Sequence, residues 1–152
     1  MSLLAIKTAG IDDINSVAVL FDLYRQFYQQ APSLELAMSF IKQRIYNQES
    51  VILLAEEYGE PVGFCQLYPS FCSVIAAPIY VLYDLFVHPA KRRTGAGRAL
   101  LLAAEQQAEF AGVARMDLTT ARTNTSAQAL YESLGWKNDT VFIAYNKNII
   151  TS

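Results

Sequence analysis

The stretch from Pro89 to Leu102 holds the residues of this chain best suited to bind a small anion. It reads as the end of a strand, then Arg92-Arg93-Thr94-Gly95-Ala96-Gly97-Arg98, then the start of a helix. Gly95 and Gly97 let the backbone take positive φ and approach a ligand closely. The helix that follows opens with unpaired amides and the positive end of its dipole. Lys91, Arg92, Arg93 and Arg98 add cationic side chains. Such a helix start is a ready anion site, and a pyrophosphate is the kind of anion that fits. The plain alternative is a glycine-rich turn carrying solvated arginines. Of the better-known phosphate loops, Gly-x-x-x-x-Gly-Lys-Ser/Thr is absent, and Gly-x-Gly-x-x-Gly meets Leu100 where its last glycine belongs. Asp117 stands about twenty residues on, where a ribose-binding acid would fall, but too little chain follows to complete a nucleotide-binding half.

Other residues invite chemistry. Alternation along the strand expected at Ile79–Val87 puts Asp84 on one face with Leu82 and Phe86, and Tyr83 on the other with Val81, Leu85 and Val87. A carboxylate among apolar neighbours is costly to bury unless it is paired or functional. Tyr131 shares a helical face with Ala127 and Leu134; in isolation the favoured reading is a core tyrosine with a satisfied hydroxyl. His88, the one histidine, sits at a strand end and suits a surface or core role. Cys65 and Cys72 match no metal-ligand spacing and read as reduced, buried thiols, so no metal is expected.

The elements that must position these groups follow from periodicity. Leu3–Thr8 reads as a strand. Asp12 or Asp13 caps a helix to about Tyr28 with Ile14, Val17, Leu20, Phe21, Tyr24 and Phe27 as its stripe. Ser33 caps a second helix carrying Leu36, Phe40, Ile41 and Ile45. Strands are expected over Ser50–Glu56, Val62–Tyr68 and Ile79–Val87, the first two joined by turn residues Tyr58-Gly59-Glu60-Pro61. A helix over Gly97–Phe110, a strand over Arg115–Thr120, a helix over Ser126–Leu134 stopped by Gly135 and a last strand over Thr140–Tyr145 complete the order. Strand, loop, helix and strand from Ile79 to Thr120 form a crossover that implies two parallel strands, while the hairpins imply antiparallel ones. The expected architecture is an α/β (α+β) domain over residues 1–152, a mixed central β-sheet flanked by helices on both faces.

Composition sets the outer limits. The chain has 152 residues, 53% hydrophobic and 17% charged, with a net charge of -2, which is globular rather than disordered. That balance gives no footprint for nucleic acid. The start is too short and too soon charged for a signal peptide or a membrane span, so no membrane partner and a cytoplasmic location are expected. Exposed aromatics and a short terminal strand permit a homodimer.

Strand, Arg-x-x-Gly-x-Gly and an Ala/Leu-rich helix together resemble the coenzyme-binding motif of the GNAT family of N-acetyltransferases. Tyr83-Asp84-Leu85-Phe86-Val87-His88-Pro89 resembles that family's central strand and its exit. Asn124-x-x-Ala127-x-x-x-Tyr131-x-x-x-Gly135-Trp136 resembles its last motif. The likeness runs from about Ile52 to Tyr145, and loosely favours the small-amine and diamine acetyltransferases.

The resemblance implies acetyl-CoA as co-substrate, its pyrophosphate on the amides of Arg92, Arg93, Thr94, Gly95, Ala96 and Gly97 with Arg98 beside them. The pantetheine arm would pair, like an added strand, with the backbone of Leu85, Phe86 and Val87. Asn124 matches a coenzyme-contacting position, with a helix cap as its structural alternative. Tyr131 matches the tyrosine that protonates the departing thiolate, a plausible task for a phenol with a reference pKa near 10. Some relatives place a glutamate on the central strand; this chain has Tyr83 there, followed by Asp84, which would line the acceptor site as base or amine anchor. Tyr24, Tyr28, Tyr68 and Tyr83 are the expected acceptor-binding aromatics. The implied reaction is direct transfer of acetyl to a primary amine of a small molecule or peptide, since no Cys/His pair is placed for a covalent relay. The rival is a non-catalytic acyl-CoA sensor or interaction module.

Overall fold

Residues with β periodicity and residues with helical periodicity sort into strands and helices in the computed structural model, which describes residues 3–150. The chain divides into two compact units, Met1–Thr119 and Thr120–Ser152. The first unit holds β1 (Leu4–Thr8), α1 (Ile14–Phe27), α2 (Leu34–Tyr46), β2 (Val51–Glu57), β3 (Glu60–Cys72), β4 (Ala77–Val87), α3 (Ala96–Ala111) and β5 (Met116–Asp117). The second holds α4 (Thr125–Ser133).

The five strands form one mixed sheet in chain order. β1 to β4 pair antiparallel, and β5 runs parallel to β4, as the crossover requires. α1 and α2 cover one face. Val17, Ala18, Phe21, Ala37 and Ile41 pack there with Ile52, Leu54, Phe64 and Phe86 of the strands. α3 packs against β2, β3 and β4, burying Leu100, Leu101, Ala104 and Ala108. The alternate strand residues Leu53, Ala55 and Cys65, also buried, point to that side.

Local chemistry explains the boundaries. A short 3-10 turn, Ile11–Asp13, precedes α1. There Asp13 does not cap forward: its carboxylate accepts the Gly10 amide at 2.9 Å and pairs with Lys7 at 2.9 Å. Ser33 caps α2 by accepting the Leu36 amide at 3.2 Å. Buried Asp22 ties α1 to that cap, accepting from Arg25 at 2.8 Å and from the Ser33 amide at 3.0 Å. The β2–β3 turn is tighter than its sequence suggests. Tyr58 (φ 53) and Gly59 (φ 80) suffice, as in a two-residue I′ hairpin, and Glu60 and Pro61 already belong to β3.

Two expectations fail. The strand expected over Arg115–Thr120 shrinks to Met116–Asp117, paired with Tyr80 and Val81 of β4. In the second unit, no strand forms over Thr140–Tyr145. Asp139 accepts the Val141 and Phe142 amides at 2.8 and 3.0 Å, a local capture that competes with a strand ladder.

β3 and β4 approach most closely at Gly63, where an added Cβ would lie 2.8 Å from the Phe86 carbonyl oxygen. Neither strand backbone can yield without losing ladder bonds. Gly63→Ala should therefore destabilise the fold by about 1–3 kcal/mol, the usual cost of overpacking. Urea denaturation would show this as a lower midpoint at unchanged slope.

Candidate active site

The anion loop is built as a sequence of local ties. His88 caps the 3-10 turn Pro89–Lys91 through Nδ1, which accepts the Ala90 amide at 3.1 Å, so its role is structural. Lys91 pairs with Glu57 at 3.1 Å, and the Thr94 hydroxyl donates to the Lys91 carbonyl at 2.7 Å. Arg93 (φ 69) and Gly95 (φ 88) both adopt left-handed backbone, a conformation that strains a non-glycine residue. α3 then opens at Ala96 with no side-chain cap. Its first intrahelical bond runs from the Ala99 amide to the Gly95 carbonyl at 3.0 Å. The amides of Ala96, Gly97 and Arg98 precede that bond and mark the anion-attracting end.

Arg92 has a different task from the one its charge suggests. Its Nε donates to the Val87 carbonyl at 3.1 Å, and its guanidinium lies 5.6 Å and 5.7 Å from the Phe27 and Phe86 rings. It braces the strand exit against α1 and lines a cleft with Leu23, Phe27, Phe86, His88 and Pro89. Arg93 and Arg98 are exposed, and among the described residues neither pairs with an acid.

β4 offers a half-open edge. Its pairing with β3 continues to Val87, but its pairing with β5 stops at Val81. Beyond Val81 the edge toward β5, including Leu85, Phe86 and Val87, has no strand partner among the described residues. An amide-bearing arm could complete such an edge.

A bulge lies just past that point. Gln66 opposes Asp84 and Leu67 opposes Leu82, which leaves Tyr83 as the extra residue of β4. A bulge bends its strand and increases the local twist, and this one falls two residues beyond the last pair with β5, which itself ends at Asp117. It also corrects the alternation expected from sequence. Cross-strand partners share a face, so Asp84 points with Gln66 and Phe64 toward α1, while Leu82 points with Leu67 to the other side. Tyr83 is not turned away from Asp84. Its ring meets Tyr68 at 5.7 Å, and Tyr68 lies on the Gln66 face of β3.

Asp84 is thereby buried under a tyrosine cluster. The Tyr24 hydroxyl donates to the Tyr83 carbonyl at 3.2 Å and acts on Asp84 as well. Tyr28 meets Tyr24 at 5.2 Å. Tyr24, Tyr28, Tyr68 and Tyr83 are thus brought together. Burial raises the Asp84 carboxyl above its ordinary value, while hydrogen bonds from Gln66 and Tyr24 oppose the rise. Burial, with the Asp84 charge added, pushes the Tyr24 phenol up and the Tyr68 phenol up to about 12. Burial alone accounts for most of the rise of the Cys65 thiol to about 12, which leaves it inert. Cys72 is only partly buried, contrary to the expected pair of buried thiols.

Sequence reasoning missed Gln66, which is fully buried. It donates Nε2 to Asp84 Oδ2 at 2.5 Å and accepts from the Ser50 hydroxyl at 2.7 Å. The available signal was a glutamine inside the apolar run Val62–Leu67.

In the second unit, Asn124 caps α4 by accepting the Ala127 amide at 3.3 Å and the Ser126 hydroxyl at 3.4 Å. The helix ends in a Schellman closure. The Trp136 amide donates to the Tyr131 carbonyl at 3.0 Å, the Gly135 amide to Glu132 at 3.1 Å, and Gly135 takes φ 92. Buried Tyr131 lies against Trp136 at 6.1 Å between ring centres. Among the described residues no cluster of His, Cys, Asp or Glu could hold a metal, and no helix is long and apolar enough to cross a membrane.

Comparison with known proteins now adds identity to geometry. Residues 17–136 match the Acetyltransferase (GNAT) family. The chain is 47% identical over 144 residues to the uncharacterized N-acetyltransferase YhfO of Bacillus subtilis (strain 168), an alignment spanning 95% of this chain and 97% of that one. A crystal structure of a probable acetyltransferase superimposes with a TM-score of 0.90 at 35% identity, covering 97% of this chain and 99% of that chain. An aminoglycoside N-acetyltransferase in complex with CoA shares the fold at a TM-score of 0.81 and 18% identity, over 97% and 96% of the two chains. The sheet of mixed strands, the glycine loop at a helix start and these matches agree: the chain belongs to the GNAT family of acetyltransferases.

Proposed function

We propose that this chain transfers acetyl from acetyl-CoA to a primary amine of a small molecule or peptide, by direct transfer in a ternary complex. The observation that carries the reading is the division of β4. One strand presents a half-open edge leading to the amino end of α3, and on the same strand a buried carboxylate ringed by tyrosines. At about 3.3 Å per residue, Asp84 and Phe86 stand a few ångströms apart along it. Strand edge and acceptor pocket are thus within reach of one thioester.

The loop suits the coenzyme by its donor chemistry. The first-turn amides of α3 and the exposed Arg93 and Arg98 complement a pyrophosphate, and the Leu85–Val87 edge complements the amides of a pantetheine arm. Acetyl-CoA, when bound, supplies the acetyl group as an activated thioester. Asp84 receives the acceptor amine as anchor or base, a step that needs its ionised form. The Tyr131 phenol is assigned the donation of a proton to the departing sulfur, and Asn124 adds a coenzyme contact beyond its cap. The cytosol is the proposed compartment.

Release of free thiol in the presence of a panel of amines tests the reading. Coenzyme binding without turnover of any amine would overturn it in favour of an acyl-CoA sensor. Asp84→Asn should lower kcat/KM for the amine by about 10²-fold or more, with coenzyme affinity unchanged. In the native chain the acid limb of the kcat/KM profile should lie above the ordinary carboxylate value of 3.8, because burial raises Asp84 and the ionised form is the active one. Tyr131→Phe should lower kcat by about 10²–10⁴-fold without weakening the coenzyme, the range of a lost general acid. Steady-state kinetics with calorimetric coenzyme titration separates these effects.

A further inference from the structure

Gln66 is a fully buried polar side chain in an otherwise apolar part of β3, where Phe64, Cys65 and Leu67 beside it are also fully buried. Both ends of its amide are used. The Ser50 hydroxyl, just before β2, donates to Oε1 at 2.7 Å, and Nε2 donates to Asp84 Oδ2 at 2.5 Å. An amide turned the other way would set its carbonyl against the carboxylate, two acceptors facing each other, and would suit only a protonated Asp84. Ser50 supplies the donor that the carbonyl end needs in the observed orientation. Without it a buried carbonyl loses its partner, and the preference for turning the NH₂ group to Asp84 weakens.

We propose that Gln66, backed by Ser50, is a positioning residue of the acceptor site: it holds Asp84 as an oriented carboxylate that takes an acceptor amine in its cationic form. This rests on the assignment of Asp84 to the acceptor pocket. The groups around the carboxylate support it. The Asp84 charge acts on Tyr24 of α1 and on Cys65 and Tyr68 of β3, while Tyr28 lies against Tyr24 and Tyr83 precedes Asp84 in β4. Burial raises Tyr24, Cys65 and Tyr68, so these three are neutral acids at physiological pH. Arg44 of α2 and Glu49 act on Tyr68 rather than on Asp84. Among the described residues no cationic side chain pairs with Asp84. Burial by itself would neutralise such a carboxyl; Gln66 is the larger of the two hydrogen-bond influences that oppose this. The positive charge missing from the pocket is then the one an ammonium brings. The preferred acceptor class is a primary amine with a pKa high enough to be charged at neutral pH, over an arylamine of similar size.

The test follows the Asp84 carboxyl carbon by ¹³C NMR through a pH titration of the full chain, alongside the kcat/KM profile for an alkylamine. Gln66→Met keeps length and loses the donor. It should move the Asp84 midpoint and the acid limb upward together by about one to two pH units, the worth of a hydrogen bond to a charged group. Activity should recover on the alkaline side. Ser50→Ala should move both in the same direction by less, and Ser50→Thr, which keeps the hydroxyl, should leave them at the native position. A merely structural role would lower the melting temperature and leave the midpoints in place. Folded Gln66→Met or Ser50→Ala protein that titrates like the native chain would overturn the proposal, and the Ser50 pair decides it if Gln66→Met does not fold. A native chain that turns over no amine while the variants still shift Asp84 would sink the acetyltransferase assignment of the pocket and the cationic acceptor with it. Turnover of alkylamines with unmoved midpoints would sink the relay alone.

Discussion

Strand β4 is bonded on both edges for its first part and on one edge for the rest, and the site depends on that change. The parallel ladder to β5 ends at Val81, and the antiparallel ladder to β3 runs on to Val87. Between the two behaviours stands one extra residue, Tyr83. β5 ends at Asp117, opposite Val81, so the edge that leads to the α3 loop stays open. A regular strand would have turned Tyr83 and Asp84 to opposite faces. One insertion in register thus gathers a carboxylate and four tyrosines on the α1 face.

The bulge explains what could and could not be read in the sequence. The glycine loop was legible because its chemistry is local: residue types within one short run set backbone freedom, charge and the helix start. The stripes of α1 and α2 and the Ser33 cap were legible for the same reason. The gathering of Tyr83 with Asp84 was not, because period-two reasoning assumes a regular strand and a bulge depends on the partner's register. Gln66 escaped notice because its meaning lies sixteen and eighteen residues away, at Ser50 and Asp84. Arg92 reads in the sequence only as one of the loop's cations, and its side chain is set by contacts that lie outside the loop, the Val87 carbonyl and two aromatic faces. At Thr140–Tyr145 the β propensity is genuine, but Asp139 takes the first amides.

The proposed acceptor pocket also shows how burial and hydrogen bonding divide the control of one charge. Desolvation drives Asp84 toward the neutral acid, and the amide of Gln66 and the phenol of Tyr24 pull it back. The same desolvation raises Tyr24 and Tyr68, so their hydrogens stay in place as donors. The proposed pocket therefore sets protonated phenols beside one carboxyl group that has no cationic side chain next to it among the described residues. In its ionised form that group complements a cationic donor, the chemistry of an ammonium, better than an acid.

The closure of α4 carries a consequence of its own. Gly135 and Trp136 end the helix by returning their amides to Glu132 and Tyr131, and the indole settles against the Tyr131 ring. Gly135 supplies the left-handed backbone of that closure, and Trp136 supplies the ring that meets Tyr131. One short turn thus both ends the helix and packs a side chain of its last turn.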